Sequence, residues 1–347
     1  MHCTSCDSYF LETHGTLFHG KYVCPQMLVW AIGALAEGLG IRAVARLFAV
    51  EPDTVLAWLV EAADQLQRFS QFFLHDVQAP QVQLDELYAL LREVKAGKID
   101  TTDAIKRLKR SPRWVWTAID PASKLLLAIE MGPRTLAMAQ RIVHQVAQVL
   151  APDSLPLFLT DGYKDYLPAI LGHFGRWLQP ERHSVRGPVP KPRWMPRPGL
   201  LYAQVMKTVR RRRLVRVTHR VVFGTLEAVT QMLAPYGWHI NTAFTERLNL
   251  DLRQHVAAIG RRVNTLCTHE AGVRQQLVLY QVYHNFVLPH ASLRQALAVP
   301  EPTNGTGSAR QWRPCTPAMA AGLTAHVWSL QEVLLYRVPP WLPGQGL

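Results

Sequence analysis

The sequence lacks the features that would place it in a membrane or in a disulfide-bonded secreted class. Its longest apolar run near the N-terminus, residues 27–36, is about half of the roughly 20 residues that span a bilayer. The first residues carry no basic segment followed by an apolar one, so we expect no signal peptide. Five cysteines in 347 residues do not make a disulfide framework. We therefore expect a reducing, cytoplasmic compartment.

Acidic residues are also scarce relative to basic ones. The chain has 38 Lys and Arg against 25 Asp and Glu, which gives a net charge of +13. A basic excess of this size favours a polyanionic partner, most simply nucleic acid, although a generally basic surface is the alternative. Hydrophobic residues make up 48% of the chain, which excludes global disorder and allows a sizeable core.

The N-terminal 26 residues hold a small set of metal-capable side chains. Cys3 and Cys6 have the C-x-x-C spacing of half a zinc knuckle. A structural zinc needs four ligands, and His14, His19 or Cys24 could complete the set, although their spacing fits no standard pattern. Ordinary thiols and loop histidines are the alternative interpretation.

The next segment has the pattern of short helices. Apolar residues recur at helical spacing over residues 27–37, 41–48 and 54–66, with Asp53 as a good N-cap for the third helix. Two short helices around a tight turn, in a basic protein, favour a helix-turn-helix in which Thr54 faces the DNA groove. A plain helical hairpin is the alternative.

A mixed α/β pattern follows a polar linker. It predicts strands over residues 82–88, 113–120, 125–131 and 155–159, a helix over 135–150, and a charged loop over 92–112. An antiparallel meander of three strands, followed by a helix and a fourth strand, is how a ribonuclease H-like α/β fold begins. Other α/β folds could begin in the same way.

Three acids are candidates for one site in such a fold. Asp85 lies in the first strand, Asp161 directly follows the fourth, and Glu246 begins a later helix. Carboxylates are the hard ligands that Mg²⁺ prefers, and paired ions assist phosphoryl transfer. Because side chains alternate along a strand, only one of Asp85 and Glu86 is expected to face the site. Each acid also has a structural interpretation. Asp85 could be a solvent-facing strand residue, Asp161 a turn residue, and Glu246 an acid that stabilises the N-terminus of its helix.

The second half of the chain carries a basic stretch. Residues 181–213 are rich in Arg, Pro and Lys, and a solvated loop or a phosphate-binding loop would suit them. Four consecutive arginines lie at its end, Arg210, Arg211, Arg212 and Arg213. Beyond them the pattern predicts a strand over residues 213–223, helices over 226–233, 241–259 and 273–286, a linker over 300–317, and a short helix pair in the tail.

The motifs in their order resemble a known family. They are GTLFHG at residues 15–20, GIRAVARLFAVEPDTVLAWL at 40–59, LDELYALL at 84–91, WVWTAIDPASKLLLAIEMG at 114–132, LFLTDGYKDY at 157–166 and TERLNLDLRQHVAAIGRRVNTLC at 245–267. With them, the chain resembles the DDE transposases of bacterial insertion sequences, of the insertion-sequence-one type. The match covers most of residues 3–290. It is carried by the joint presence of the motifs rather than by any single one.

The resemblance implies a fold, an activity and a set of site residues. It implies a ribonuclease H-like core in which Asp85, Asp161 and Glu246 bind Mg²⁺ or Mn²⁺. The implied activity is cleavage and strand transfer at the terminal inverted repeats of the element, with double-stranded DNA as partner and a homodimer or higher oligomer on that DNA. Arg247, Asn249 and Arg253 match the family's E-R-x-N-x-x-x-R run and are expected beside the metals or the DNA backbone.

The family also sets expectations for organisation. Members usually begin with two C-x-x-C pairs, whereas this chain has one, so the N-terminus is interpreted as a zinc-ribbon remnant. The expected division is a remnant at 1–26, a helix-turn-helix domain at 27–75, a catalytic domain at 80–290 with a basic insertion near 181–240, and a tail at 291–347. The implied setting is the bacterial cytoplasm, in association with the nucleoid. Alternatives are a non-catalytic DNA-binding protein derived from a decayed transposase, and a nuclease that cuts without joining.

Overall fold

The computed structural model describes residues 2–7, 9, 11, 13–89, 113–181, 191–211, 213–260, 269–303, 305 and 307–339. The predicted loop over residues 92–112 and the predicted DNA contact of Arg212 lie outside this part of the chain. Among the helices of the described residues, none has the length and apolar character that crossing a membrane requires.

The N-terminal segment is built from three helices, α1 (Pro25–Ala36), α2 (Ile41–Phe48) and α3 (Pro52–Phe73). The bounds predicted for α2 are confirmed, and α3 follows it after a short turn in which Ala49 adopts a left-handed conformation. The N-cap of α3 is Glu51 rather than Asp53, because Pro52 is well suited to the first helical position. The geometry is that of two helices joined by a tight turn.

Helix α3 continues beyond its predicted end at residue 66. Its last turns carry Phe69 and Phe73, whose rings pack against Phe286, Trp328 and Tyr336 from distant parts of the chain. Burial of these rings stabilises helical turns that the local sequence does not specify. Residues 71–73, where the polar linker was expected to begin, are therefore part of α3, and Phe73 packs against the core.

The described part of the chain contains ten strands. They are β1 (Gln81–Tyr88), β2 (Trp114–Ile119), β3 (Leu126–Gly132), β4 (Leu157–Asp161), β5 (Gly175–Leu178), β6 (Arg193–Pro196), β7 (Leu201–Arg210), β8 (Arg213–Phe223), β9 (Gln295–Glu301) and β10 (Arg310–Arg313). The remaining helices are α4 (Leu136–Val149), α5 (Tyr166–Phe174), α6 (Leu226–Leu233), α7 (Ala243–His255), α8 (Glu270–Val282), α9 (Pro317–Ala320) and α10 (Leu330–Leu335).

Six strands form the main sheet in the order β3-β2-β1-β4-β7-β8. The pairs β3–β2 and β2–β1 are antiparallel, which confirms the predicted meander. The pairs β1–β4 and β4–β7 are parallel, and β8 returns antiparallel along β7. This mixed sheet is consistent with a ribonuclease H-like core, in which a meander is followed by parallel strands.

Strand β7 corrects the interpretation of residues 181–213 as a loop. Its first half is buried and pairs with β4, with Leu157 opposite Leu201 and Asp161 opposite Val205. Its second half, toward Arg210, is exposed and polar. The strand was missed because the exposed arginines dominate the composition of the stretch, whereas the buried residues 201–205 provide the pairing.

The predicted linker over residues 300–317 is wrong in part. It contains β10, which pairs with β9 as an antiparallel hairpin whose residues are almost all exposed. An exposed hairpin has no apolar face, so it leaves no alternating pattern in the sequence. The predicted pair of short helices in the tail is confirmed as α9 and α10.

Helices cover both faces of the sheet, so that the acids of the central strands lie between layers. On one face, α4 and α5 pack over residues such as Trp116 and Phe158, in the same core that receives α1, α2 and α3. On the other face, Leu248 and Leu252 of α7 pack with α8 against β1 and β2, while α6 covers β4 and β7. One apolar core therefore joins the N-terminal helices to the sheet.

Candidate active site

Two of the predicted acids lie on neighbouring parallel strands. Leu84 of β1 is opposite Thr160 of β4, so the next residues, Asp85 and Asp161, sit side by side at the carboxyl end of β4. Asp85 is partly buried, and 40% of the Asp161 side chain is exposed. The register of a parallel pair thus brings together two carboxylates that are far apart in sequence.

Glu86 joins them, contrary to the sequence-based expectation that only one of the two adjacent acids reaches the site. Asp85, Glu86 and Asp161 each present an oxygen, and the three oxygens lie within 4.8 Å of one another. The alternation along β1 holds, because Asp85 accepts a hydrogen bond from Asn249 while Glu86 bonds Arg134. Asp161 is the last residue of β4 and lies within reach of both.

Arg134 lies beside this acidic group and contacts two of its three carboxylates. Its Nε lies 3.2 Å from Glu86 Oε1, and its Nη2 lies 3.5 Å from Asp161 Oδ2. The guanidinium also lies over the rings of Tyr163 and Trp114, at 4.2 Å and 5.0 Å from their centroids. Arg134 follows β3 and directly precedes the N-cap of α4, a place that gave no sequence signal for a site residue.

Glu246 lies in the first turn of α7 and is 51% exposed. Its carboxylate pairs with Lys207 of β7 and accepts a hydrogen bond of 3.1 Å from Thr242 Oγ1. Among the described residues, the acidic group capable of holding a metal consists of the three acids above and does not include Glu246. The helix that carries Glu246 is nonetheless fixed to the site by other contacts.

Two contacts attach α7 to β1. Asn249 Nδ2 donates a 2.8 Å hydrogen bond to Asp85 Oδ2. Gln83 donates to the carbonyl of Asn241 at 3.0 Å and accepts from the Thr245 amide at 3.4 Å. Asn249 was expected beside the metals or DNA because of the E-R-x-N-x-x-x-R run, and the structure places it against Asp85. These contacts hold Asp85 in one orientation.

Burial and mutual repulsion change the protonation of the strand acids. Burial raises the pKa of Asp85 to about 6, and the charge of Asp161 adds to the rise. Burial raises the pKa of Glu86 to about 8, with the charges of Asp161 and Asp85 adding to it and Arg134 opposing it. Clustered carboxylates with raised pKa values are typical of sites that bind cations or transfer protons.

The oxygen atoms of the acidic group and of Asn249 are suitable ligands for a divalent cation. Glu86 Oε2 and Asn249 Oδ1 are buried, and no donor among the described residues reaches either atom. Buried acceptors without a partner cost free energy, which a bound cation would recover. Carboxylate and amide oxygens are the ligands that Mg²⁺ and Mn²⁺ prefer. The acidic group could therefore hold a divalent metal.

The raised pKa of Glu86 predicts a pH dependence of stability in metal-free buffer. Its pKa lies near 4.5 in the unfolded chain and at about 8 in the folded one, so between these values the folded state binds more protons. The contribution of Glu86 to stability is then fully present below pH 4.5 and is lost as the pH rises through about 8, by up to about 1.4 kcal/mol per pH unit. Glu86→Gln should flatten this slope in chemical denaturation with a chelator present. The exposed control Glu227→Gln should keep it, and an unchanged slope in Glu86→Gln would contradict the assignment.

The residues predicted to bind DNA lie on several surfaces. Arg210, Arg211 and Arg213 are exposed where β7 turns into β8. Arg247 is exposed on α7 beside Glu246, and Arg253, two turns further along the same helix, is half-buried. The DNA contacts of these arginines stay a prediction.

Two further sets of predicted residues lie away from the acidic group. Thr54 is half-buried in the first turn of α3. At the N-terminus, Cys3 Sγ lies 3.1 Å from Ser5 Oγ, and neither Cys3 nor Cys6 belongs to a metal-capable group of three or more among the described residues. DNA reading by Thr54 and zinc binding by the cysteines stay predictions.

The fold and site together define a mixed α/β protein with an acidic, metal-capable group at the carboxyl end of its central parallel strands. No protein-family model matches the chain, and no curated protein matches it. Among solved structures it is similar to a chain of the crystal structure of the Mos1 strand transfer complex. That similarity has 11% identity over 71% of this chain and 82% of the other, with a TM-score of 0.18. The fold class therefore rests on the strand order itself.

Proposed function

We propose that the protein is a DDE transposase that cleaves DNA at the ends of an insertion sequence and joins those ends to target DNA. The observation that carries the proposal is the side-by-side position of Asp85 and Asp161 on parallel strands, with the Glu246 helix bonded to Asp85 through Asn249. The strand order and the net charge of +13 support the same function.

The chemistry would be two in-line displacements at phosphorus. In the first, the oxygen of water forms a bond to the phosphorus at the element end, the P–O3′ bond breaks, and the 3′ oxygen leaves as a hydroxyl. In the second, that hydroxyl attacks a target phosphate and displaces another 3′ oxygen. Divalent ions bound by Asp85, Asp161 and Glu246 would lower the barrier by polarising the attacking and leaving oxygens.

The side chains of this chain have separate roles in the proposed reaction. Asn249 orients the Asp85 carboxylate, and Arg134 offsets part of the negative charge of Asp161. Lys207, paired with Glu246, supplies a positive charge beside the place where a DNA phosphate would lie. Tyr163 supports Asp161 through its backbone amide, which donates to Oδ1 at 2.8 Å. Each contact helps to fix the position of one of the three acids before DNA binds.

The direct test is a cleavage and strand-transfer assay with the purified full chain. DNA carrying the ends that flank the gene, in Mg²⁺ or Mn²⁺, should yield nicked and joined products, whereas DNA with scrambled ends or a chelator should yield none. Cutting without joining, at any sequence, would identify a nuclease instead. Binding without any cutting would identify a DNA-binding protein, and either outcome would overturn the proposal.

The DNA surface is proposed to include the arginines at the β7–β8 turn. Replacing Arg210, Arg211 and Arg213 by alanine should weaken binding at every DNA sequence. Each arginine that contacts a phosphate should also reduce the slope of log K against log salt by about 0.9. The control is Arg310→Ala in the β9–β10 hairpin, since this arginine is already paired with Glu301. A salt slope equal to that of the unmodified chain would exclude these arginines from the interface.

The remaining expectations are parts of the same proposal. Thr54 would read the terminal repeats from the start of α3, and Cys3 and Cys6 would be what is left of a zinc ribbon. The chain would act as a homodimer or higher oligomer, because two DNA ends must be brought together. The division at residues 26, 75, 80 and 290 and the nucleoid-associated location likewise belong to the proposal.

A further inference from the structure

Glu86 has a place in the acidic group that neither strand alternation nor the resemblance assigns to it. Its side chain is 1% exposed, and its Oε1 is bonded to Arg134. Its Oε2 is buried and receives no hydrogen bond from any described residue. A carboxylate oxygen buried in this way, beside two other carboxylates, costs free energy unless a proton or a cation completes it.

The charges in the group support the same cation. Three carboxylates and the single guanidinium of Arg134 leave two net negative charges when all are ionised. Glu246 and Lys207 neutralise each other and change this balance little. A divalent cation would therefore make the group neutral. A monovalent ion would leave one negative charge of the group without a partner.

The spacing also suits one small ion. Bonds from Mg²⁺ to oxygen are about 2.0–2.1 Å long, so ligands on opposite sides of the ion lie about 4 Å apart. The three oxygens of Asp85, Glu86 and Asp161 lie within 4.8 Å of one another, and small side-chain rotations would close the difference. Glu246 is held outside this group by Lys207 and Thr242.

We propose that a first divalent cation is bound by Asp85, Glu86 and Asp161, and that Glu246 does not contribute to this ion. Glu86 is then a metal ligand in its own right, and Arg134 is a positioning residue that holds it. The inference deepens the proposed function and rests on it. Glu246 would join only when Lys207 is drawn away, for example by a DNA phosphate.

The test measures Mn²⁺ binding to the full chain without DNA, by the loss of the free-ion electron paramagnetic resonance signal. Glu86→Gln and Asp161→Asn should each raise the Kd for Mn²⁺ at least about tenfold. Glu246→Gln should change it by less than about threefold, and so should the exposed control Glu227→Gln. Circular dichroism and a melting curve establish that each variant is folded.

A second variant keeps the test decisive if Glu86→Gln does not fold. Glu86→Asp retains the charge but shortens the side chain, so it should weaken Mn²⁺ binding and leave the pairing of Lys207 with Glu246 intact. Binding equal to wild type in a folded Glu86 variant would overturn the inference. So would a loss in Glu246→Gln as large as that in Asp161→Asn.

The outcomes separate this inference from the function it rests on. If Mn²⁺ binding depends on Glu86 but DNA with the element's ends is never cut, the ion site stands and the transposase proposal fails. If Glu86→Gln binds Mn²⁺ normally while the wild type cuts and joins DNA, the transposase proposal stands and the role of Glu86 fails.

Discussion

Asp161→Asn is expected to reduce DNA cleavage and strand transfer at least about 10³-fold, which corresponds to about 4 kcal/mol in the barrier. Asp161 is the acid that lies within reach of both Asp85 and Glu86, at the end of β4. The substitution keeps the size of the side chain and removes its charge. The measurement is the rate of nicking and joining under single-turnover conditions, with DNA binding followed separately.

The matched control is Asp153→Asn in the turn before β4. Asp153 is exposed, pairs with Arg197 and is far from the acidic group in the fold, so its loss should change the rate by less than about twofold. A surviving rate within tenfold of wild type in Asp161→Asn would contradict the catalytic role. A loss of DNA binding equal to the loss of rate would instead indicate a damaged fold.

Phe69→Ala is expected to lower the free energy of unfolding by about 3–5 kcal/mol, as is usual for a fully buried aromatic residue. Phe69 has no exposed surface, and its ring lies within 5.4 Å of the ring centroids of Phe73, Phe286, Trp328 and Tyr336. Its removal would leave a cavity between α3, the segment that follows α8 and the tail. Urea denaturation followed by tryptophan fluorescence and circular dichroism measures the loss.

Leu56→Ala on the same helix is the control for Phe69→Ala. Leu56 is 41% exposed, so the same kind of truncation should cost less than about 1 kcal/mol. If the two variants were equally stable, the packing of Phe69 against Phe286, Trp328 and Tyr336 would not contribute to stability. Two separate unfolding transitions in the wild type would show that the N-terminal helices do not unfold together with the sheet.

Much of the fold could be predicted from local pattern. The meander, α2, β8 and α6 lie within a residue or two of the predicted bounds, because each has a clear apolar period and a distinct boundary. Thr225, for example, caps α6 by accepting a hydrogen bond from the Ala228 amide. The bounds of such segments are specified by the local sequence, within about ten residues.

The parts that escaped prediction depend on distant partners. Strand β7 is specified by its pairing with β4, which no local pattern reveals, and the last turns of α3 depend on aromatic residues more than 200 positions away, such as Phe286. The acidic site divides in the same way. Asp85 and Asp161 were predicted from their places on strands, whereas Glu86 and Arg134 could not be found without knowing that Asp161, the last residue of β4, lies near both of them.

The length of helix α3 fixes the distance between its first turn and the end that packs into the core. It has 22 residues, so its axis is about 33 Å long. Thr54 in its first turn and Phe69 near its anchored end are separated by about 22 Å, which equals the rise of roughly six or seven base pairs. Because α3 is one continuous helix, its N-terminal turn is held at that distance from the end that packs into the core. Extending α3 by one turn would move Thr54 about 5.4 Å further from that end.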